Sequence, residues 1–185
     1  MYGKHKLNAR DIVFIGMLSA MCTIATTIKV PLGLGAMVHL GSAFLYTTGI
    51  IFGGVYAGLA GAIGSAFFDL IMGSSPYTVW SFVIKGGAGL IVGSVAKGLW
   101  PEVTYHKNAA GNKMLMVRAL FACVLASFWT LGGYILAWWY VTGSFTTAVA
   151  NIPSSLLTSG AGLIAALLVG PKLRKILKKA MRINI

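Results

Sequence analysis

The sequence predicts an all-α fold, a polytopic bundle of six transmembrane helices with both termini in the cytoplasm. Three observations carry that prediction. First, of 185 residues 57% are hydrophobic and only 10% are charged, whereas soluble domains carry about 25% charged residues. So few charges cannot cover a water-facing surface, and lipid is the favoured solvent. Second, the 24 glycines are too many for soluble helices. In a bilayer, small residues let helices approach closely and neighbours satisfy loosened backbone. Third, the basic residues cluster. Lys4, Lys6 and Arg10 precede the first apolar run. Lys97, Lys107, Lys113 and Arg118 surround one polar loop, and Lys172, Arg174, Lys175, Lys178, Lys179 and Arg182 form the tail. Short basic segments beside apolar spans mark cytoplasmic sides.

The elements follow in order, as one membrane domain over residues 1–185. A first span covers about 11–28, and Lys29-Val-Pro-Leu-Gly-Leu-Gly breaks it as a loop. No small-residue cleavage site follows this run, so it reads as a retained span and not a signal peptide. A second span runs from about 39 to 52 and a third from 56 to 72. Residues 39–72 are too many for one crossing of roughly 20 and few for two, so Gly53-Gly54 is read as a turn between two short helices. Parity supports the split. With six spans, all three basic segments fall on one side. Gly73-Ser-Ser-Pro-Tyr77 is the next loop signal. The fourth span covers about 79–99, and Pro101 to Lys113 is the longest polar stretch. The fifth covers about 115–141. The sixth covers about 146–169, with Gly170-Pro171 ending it.

Small residues recur at Gly49, Gly53, Ala57, Gly61 and Ser65, at Gly89 and Gly93, and at Gly162, Ala166 and Gly170. Helix packing accounts for them. Gly16 and Ala20 differ in one respect: near the cytoplasmic end of the first span, they could serve a partner helix. Cys22 and Cys123 lie inside apolar runs and read as packing residues, with no metal or disulfide spacing.

The net charge of +12 would suit nucleic acid, but its placement reads as topology plus contact with anionic lipid. An enzyme needs acids, bases or nucleophiles held together. The chain has three acidic residues and three histidines. Asp11 sits at a helix start, where its charge favours the dipole. Glu102, His106 and His5 lie in polar cytoplasmic segments. No metalloprotease, nucleophile-elbow, phosphate-loop or CxxC motif is present. The chain reads as a non-enzyme with no cofactor of its own, and energy for uphill transport would come from elsewhere.

Asp69 and Lys85 stand apart, because intramembrane charges are expensive and are functional candidates by default. At about 1.5 Å per helical residue, Asp69 lies roughly 6 Å and Lys85 roughly 9 Å below the external loop. A structural ion pair, or a snorkelling Lys85, would also explain them. His39, Tyr77, Trp80, Tyr134, Trp138, Trp139, Tyr140 and Asn151 converge at the same level. An aromatic belt should appear at both interfaces, yet the cytoplasmic side offers mainly Trp100, with Tyr105 in its loop. That asymmetry favours an external cup with aromatic walls and polar anchors, suited to a flat, uncharged or weakly charged ring.

Five stretches carry a family resemblance: Ala9-Arg-Asp-Ile-Val-Phe-Ile-Gly-Met-Leu-Ser-Ala20, Val38-His-Leu-Gly-Ser-Ala43, Gly61-Ala-Ile-Gly-Ser-Ala-Phe-Phe-Asp-Leu70, Ser81-Phe-Val-Ile-Lys-Gly-Gly-Ala-Gly-Leu-Ile-Val-Gly93 and Asn151-Ile-Pro-Ser-Ser. In this order the chain resembles the substrate-binding S components of energy-coupling factor (ECF) vitamin transporters. The pattern is most similar to the group handling hydroxymethylpyrimidine, pyridoxine or related rings. The resemblance implies a vitamin-binding subunit of the bacterial plasma membrane, docked on a transmembrane scaffold and two ATPases that use ATP. It assigns Gly16 and Ala20 to scaffold docking, with glycine replacing the family's first alanine. It also implies that Asp69 accepts from a ring amine or hydroxyl, that Lys85 and Asn151 donate, and that Trp80, Trp138 or Tyr134 stack. S components for riboflavin, pantothenate or folate are alternatives. A standalone secondary carrier is a second class, but it needs polar groups through both membrane halves.

Overall fold

The structure, a computed structural model, describes residues 7–33, 36–99 and 112–181. His5, Trp100, Glu102, Tyr105 and His106 lie outside them. The first helix, α1 (Ala9–Thr27), leads into two short strands, β1 (Lys29–Gly33) and β2 (Ala36–His39). Two helices follow, α2 (Gly41–Phe52) and α3 (Gly54–Ile71), then a 3-10 turn at Ser75–Tyr77. Helix α4 spans Thr78–Ala96 and α5 Asn112–Thr142; a short α6 (Phe145–Ala150) precedes α7 (Ile152–Met181). Among the described residues, five helices are long and apolar enough to cross a membrane, and α2 is a shorter apolar one.

The break at Gly53 is real. Its φ of 93° is a left-handed conformation that side chains rarely adopt. The turn is sealed by the end of α4. Gly54 N–H donates to Gly98 O and Val55 N–H to Leu99 O, each at 3.0 Å. The Lys97 ammonium donates to Ile51 O. Helix ends leave orphan backbone groups, and lipid cannot satisfy them. These three residues do so. Lys97 is therefore a buried cap, not a member of the basic loop cluster to which its sequence position assigns it. At 12 residues, α2 is about 18 Å long. It survives as a short helix because eight of its residues are buried among its neighbours.

Close approach explains the small residues. On α4, a Cβ at Gly93 would land on the Gly53 and Gly54 backbone, and one at Gly89 on the Ala57 carbonyl. At Gly61 it would lie 2.8 Å from Lys85 O, and at Gly64 2.6 Å from Ser19 O. Small residues thus set α3 against α4 on one side and against α1 on the other. Leu45, Tyr46 and Ile50 of α2 fill the main core with Ala88, Val92, Ala122, Cys123 and Ala166. Ile15 and Leu18 of α1 form a second core with Tyr56 and Ala60. Cys22 and Cys123 are both buried and unbridged. Asp11 does more than face a helix dipole. Its Oδ2 accepts from Asn8 N–H at 2.8 Å and its Oδ1 from Tyr56 O–H at 2.7 Å, tying α1 to α3. Gly16 and Ala20 lie on the exposed face of α1, and a Cβ at Gly16 would meet nothing within 4 Å.

Three expectations are corrected. The segment after α1 is not a loop but an antiparallel hairpin, with Lys29 opposite His39 and Val30 opposite Val38. A two-stranded ribbon has only edges, so it tolerates Pro31. His39 therefore ends a strand instead of opening a helix, and α2 starts at Gly41. The sixth span is divided at Asn151, because Pro153 lacks an N–H and fits only a helix's first turn. Finally, α7 runs through Pro171 to Met181. Leu173 and Ile176 keep the helix apolar past the proline, and basic residues suit a helix C-terminus.

Candidate functional site: a polar cavity at the hairpin end

One end of the bundle gathers the β-hairpin, the α3–α4 turn and the α6–α7 junction around a cavity of about 330 Å³. Helical spacing places its walls. Ser65, Phe68, Asp69 and Met72 repeat at i, i+3, i+4 and i+7 at the end of α3. Ser81 and Lys85 face it from α4, and Thr130, Tyr134 and Trp138 from α5. Asn151, Ser154, Ser155, Thr158 and Ser159 line it from the start of α7. Thr26, Lys29 and His39 close the hairpin side.

Lys85 is only 5% exposed. Its Nζ donates to Ser42 Oγ at 3.0 Å and lies 5.4 Å from the centre of the Tyr134 ring. Asp69 is 9% exposed, and its Oδ2 is buried with no hydrogen-bond partner. Both charges thus face one cavity, each with bonding capacity left over. Tyr134 O–H lies 3.4 Å from Ser81 Oγ. The Tyr77 and Trp138 rings pack at 5.0 Å and 48°, forming an aromatic wall; burial pushes the Tyr77 phenol up, so it keeps its O–H. Asn151 Nδ2 donates to Thr147 O at 3.0 Å, which leaves its second N–H and Oδ1 for the cavity. His39 Nδ1 accepts from Gly41 N–H at 3.2 Å, capping α2. Burial, helped by the charges of Lys85 and Lys29, holds the His39 imidazole down to about 3. It is neutral at working pH, and with Nδ1 accepting, its proton sits on Nε2.

The structure therefore brings together His39, Asp69, Tyr77, Lys85, Tyr134, Trp138 and Asn151. It does not bring Trp80. Trp80 lies one residue before Ser81, about 100° away around the helix, and packs against Tyr140 at 5.8 Å. Trp80→Ala should leave ligand affinity within about twofold, whereas Trp138→Ala should weaken it roughly tenfold. Isothermal titration on both variants checks this. Reasoning from sequence missed Lys29, whose Nζ lies 5.5 Å from the centre of the Phe68 ring and 3.7 Å from Met72 Sδ. It also missed the serines and threonines of α7. Their signal was a polar stripe at 151, 154, 155, 158 and 159 in an apolar span.

Fold and cavity together define a class: a membrane-embedded helical bundle with a polar, aromatic-walled cavity at one end. The family model for the S component of the ECF-type riboflavin transporter matches residues 6–175. The chain belongs to this family of ECF transporter S components, which are transport subunits and not themselves enzymes. It is 27% identical over 162 residues to an uncharacterised protein of Pyrococcus woesei, covering 85% of this chain and 92% of that one. It is 30% identical over 128 residues to a UPF0397 protein of an Exiguobacterium species, covering 68% and 67%. A solved S component of a bacterial ECF transporter superposes with a TM-score of 0.65 at 16% identity, over 91% of this chain and 98% of that one. That likeness supports the fold.

Proposed function

We propose that this S component captures a small water-soluble vitamin or vitamin precursor from outside a bacterial plasma membrane. Hydroxymethylpyrimidine or pyridoxine is the favoured substrate. The single observation that carries the reading is the cavity itself, where Asp69 and Lys85 sit beside the Tyr77–Trp138 wall. Its volume of about 330 Å³ is at the small end of ligand pockets, which favours one substituted ring. Riboflavin, which the family's name carries, is the first alternative, followed by pantothenate and folate. In this reading α2 counts as a sixth crossing, and both termini are cytoplasmic. The chain holds no cofactor, and a scaffold subunit with two ATPases supplies the energy of ATP.

The test is a thermal-shift screen of the detergent-solubilised protein against B vitamins and their precursors. A ligand that binds only the folded state raises apparent stability. One compound should raise it without ATP, and a screen with no binder sinks the reading. A standalone carrier would need polar groups beyond the cavity, where the core is Leu45, Ile50, Ala88, Val92 and Ala122.

The exposed Gly16–Ala20 face supports a docking role. Gly16→Leu and Ala20→Leu should abolish co-purification with the scaffold and lower uptake at least tenfold, in line with the loss of close helix contact. Vitamin binding by the isolated chain should persist. Loss of binding instead would mean that the two positions pack internally.

A further inference from the structure

The hairpin does more than close the cavity. Its register sets Lys29 directly opposite His39, and directly opposed residues project from the same face of a ribbon. Both line the cavity, and so does Lys85. The Gly41 N–H occupies His39 Nδ1, so the edge left for a ligand is the Nε2–H donor. Lys85 has three N–H donors and, among the described residues, one hydrogen bond, to Ser42. Charge is also out of balance. Among the described residues, two ammonium groups line the cavity against a single carboxylate. Lys29 is solvated at the rim, whereas Lys85 is buried with donors to spare, so an anionic ligand group between the two is favoured. Beside this donor-rich corner, the buried Asp69 Oδ2 lacks any donor of its own.

We propose that the hairpin end of the cavity is an oxyanion subsite, in which Lys29, His39 and Lys85 hold an ionised oxygen of the substrate while Asp69 accepts an N–H or O–H of the same molecule. The ionised oxygen is a carboxylate or a ring oxide. This rests on the capture reading and narrows it. The substrate is a heterocycle with an acidic oxygen at one edge and a donor at the other, which selects pyridoxine-like rings and sets aside hydroxymethylpyrimidine, whose alcohol stays neutral. Lys29, exposed at the rim, meets the anion first; Lys85, buried and backed by Ser42 and Tyr134, fixes it.

The test uses the full chain in detergent at neutral pH and matched probe pairs added to the vitamin screen. 6-Aminonicotinate is set against 6-aminonicotinamide, so that both keep a ring amine for Asp69, and pyridoxine against its analogue lacking the ring hydroxyl. The oxyanion member of the bound pair should win by roughly tenfold or more, the value of a charge-assisted hydrogen bond. Lys85→Gln should cut that preference to about threefold or less, while a neutral competitor is little affected. Lys29→Gln keeps the test open should Lys85→Gln fold poorly, because Lys29 is exposed and its change leaves the core intact. It should reduce the preference in the same direction. If the tightest binder in the whole screen carries no ionised oxygen, or if both members of a pair bind equally, the subsite is overturned while capture stands. If no compound binds, the capture reading itself falls.

Discussion

Gly93→Ala should lower the thermal unfolding midpoint in detergent by roughly 6–12 °C, from an overpacking cost of about 3 kcal/mol. The reason is the identity of the atoms in the way. The new methyl group would meet the backbone of Gly53 and Gly54, not the end of a side chain that can swing aside. That backbone is also the turn between α2 and α3, where Gly53 holds φ at 93°. Moving it would break the hydrogen bonds from Gly54 and Val55 to Gly98 and Leu99. Gly89→Ala should act in the same direction through the Ala57 carbonyl. The control is Gly160→Ala on α7, where an added Cβ meets nothing within 4 Å. There the change should be neutral or stabilising by up to about 1 kcal/mol, the ordinary helix preference for alanine. A Gly93→Ala protein that melts with the wild type would show that α3 and α4 do not touch through this face.

The second large effect belongs to Asp69→Asn. The substitution keeps shape and removes the charge. Substrate affinity should fall by roughly 10- to 150-fold, the range for losing a hydrogen bond to a charged group. The empty protein should melt close to the wild type, because two effects oppose each other. Relief of the desolvation cost of the partnerless Asp69 Oδ2 is offset by loss of the cavity carboxylate that faces the buried Lys85. The signature is therefore a near-unchanged midpoint for the empty protein and a lost ligand-induced rise. Asn151→Ala, which removes one neutral acceptor, should weaken binding by about tenfold or less. Unchanged affinity in both variants would remove this cavity from substrate capture.

Much of this was legible because charges and apolar runs are strong signals in lipid. Asp69 and Lys85 stood out as the costly residues they are, and the turn at Gly53 followed from length, the paired glycines and the parity of the basic segments. Tyr134 and Trp138, four residues apart, shared a face by simple helical phase. The same phase argument, applied to Trp80 next to Ser81, would have turned it away from the cavity. The hairpin escaped notice because Pro31 and the nearby glycines read as loop signals, and strands this short leave little alternation. The serines and threonines of α7 escaped for another reason. Such side chains commonly bond back to their own helix, as Thr130 does to Ala126 O at 2.8 Å, so in an apolar span they raise no alarm singly. Only their spacing marks a face. Lys97 looked like part of the basic loop because a sequence does not show that a helix end needs its ammonium.

That last contact bears on how the chain is made. Ile51 O, Gly54 N–H and Val55 N–H find their partners only in residues 97–99. A nascent chain reaching just past α3 would lack these partners, and the turn's backbone groups would have to rely on water. The α2–α3 pair is therefore expected to reach its final packing only after α4 has been synthesised to its last turn, so that residues 41–99 mature as one unit.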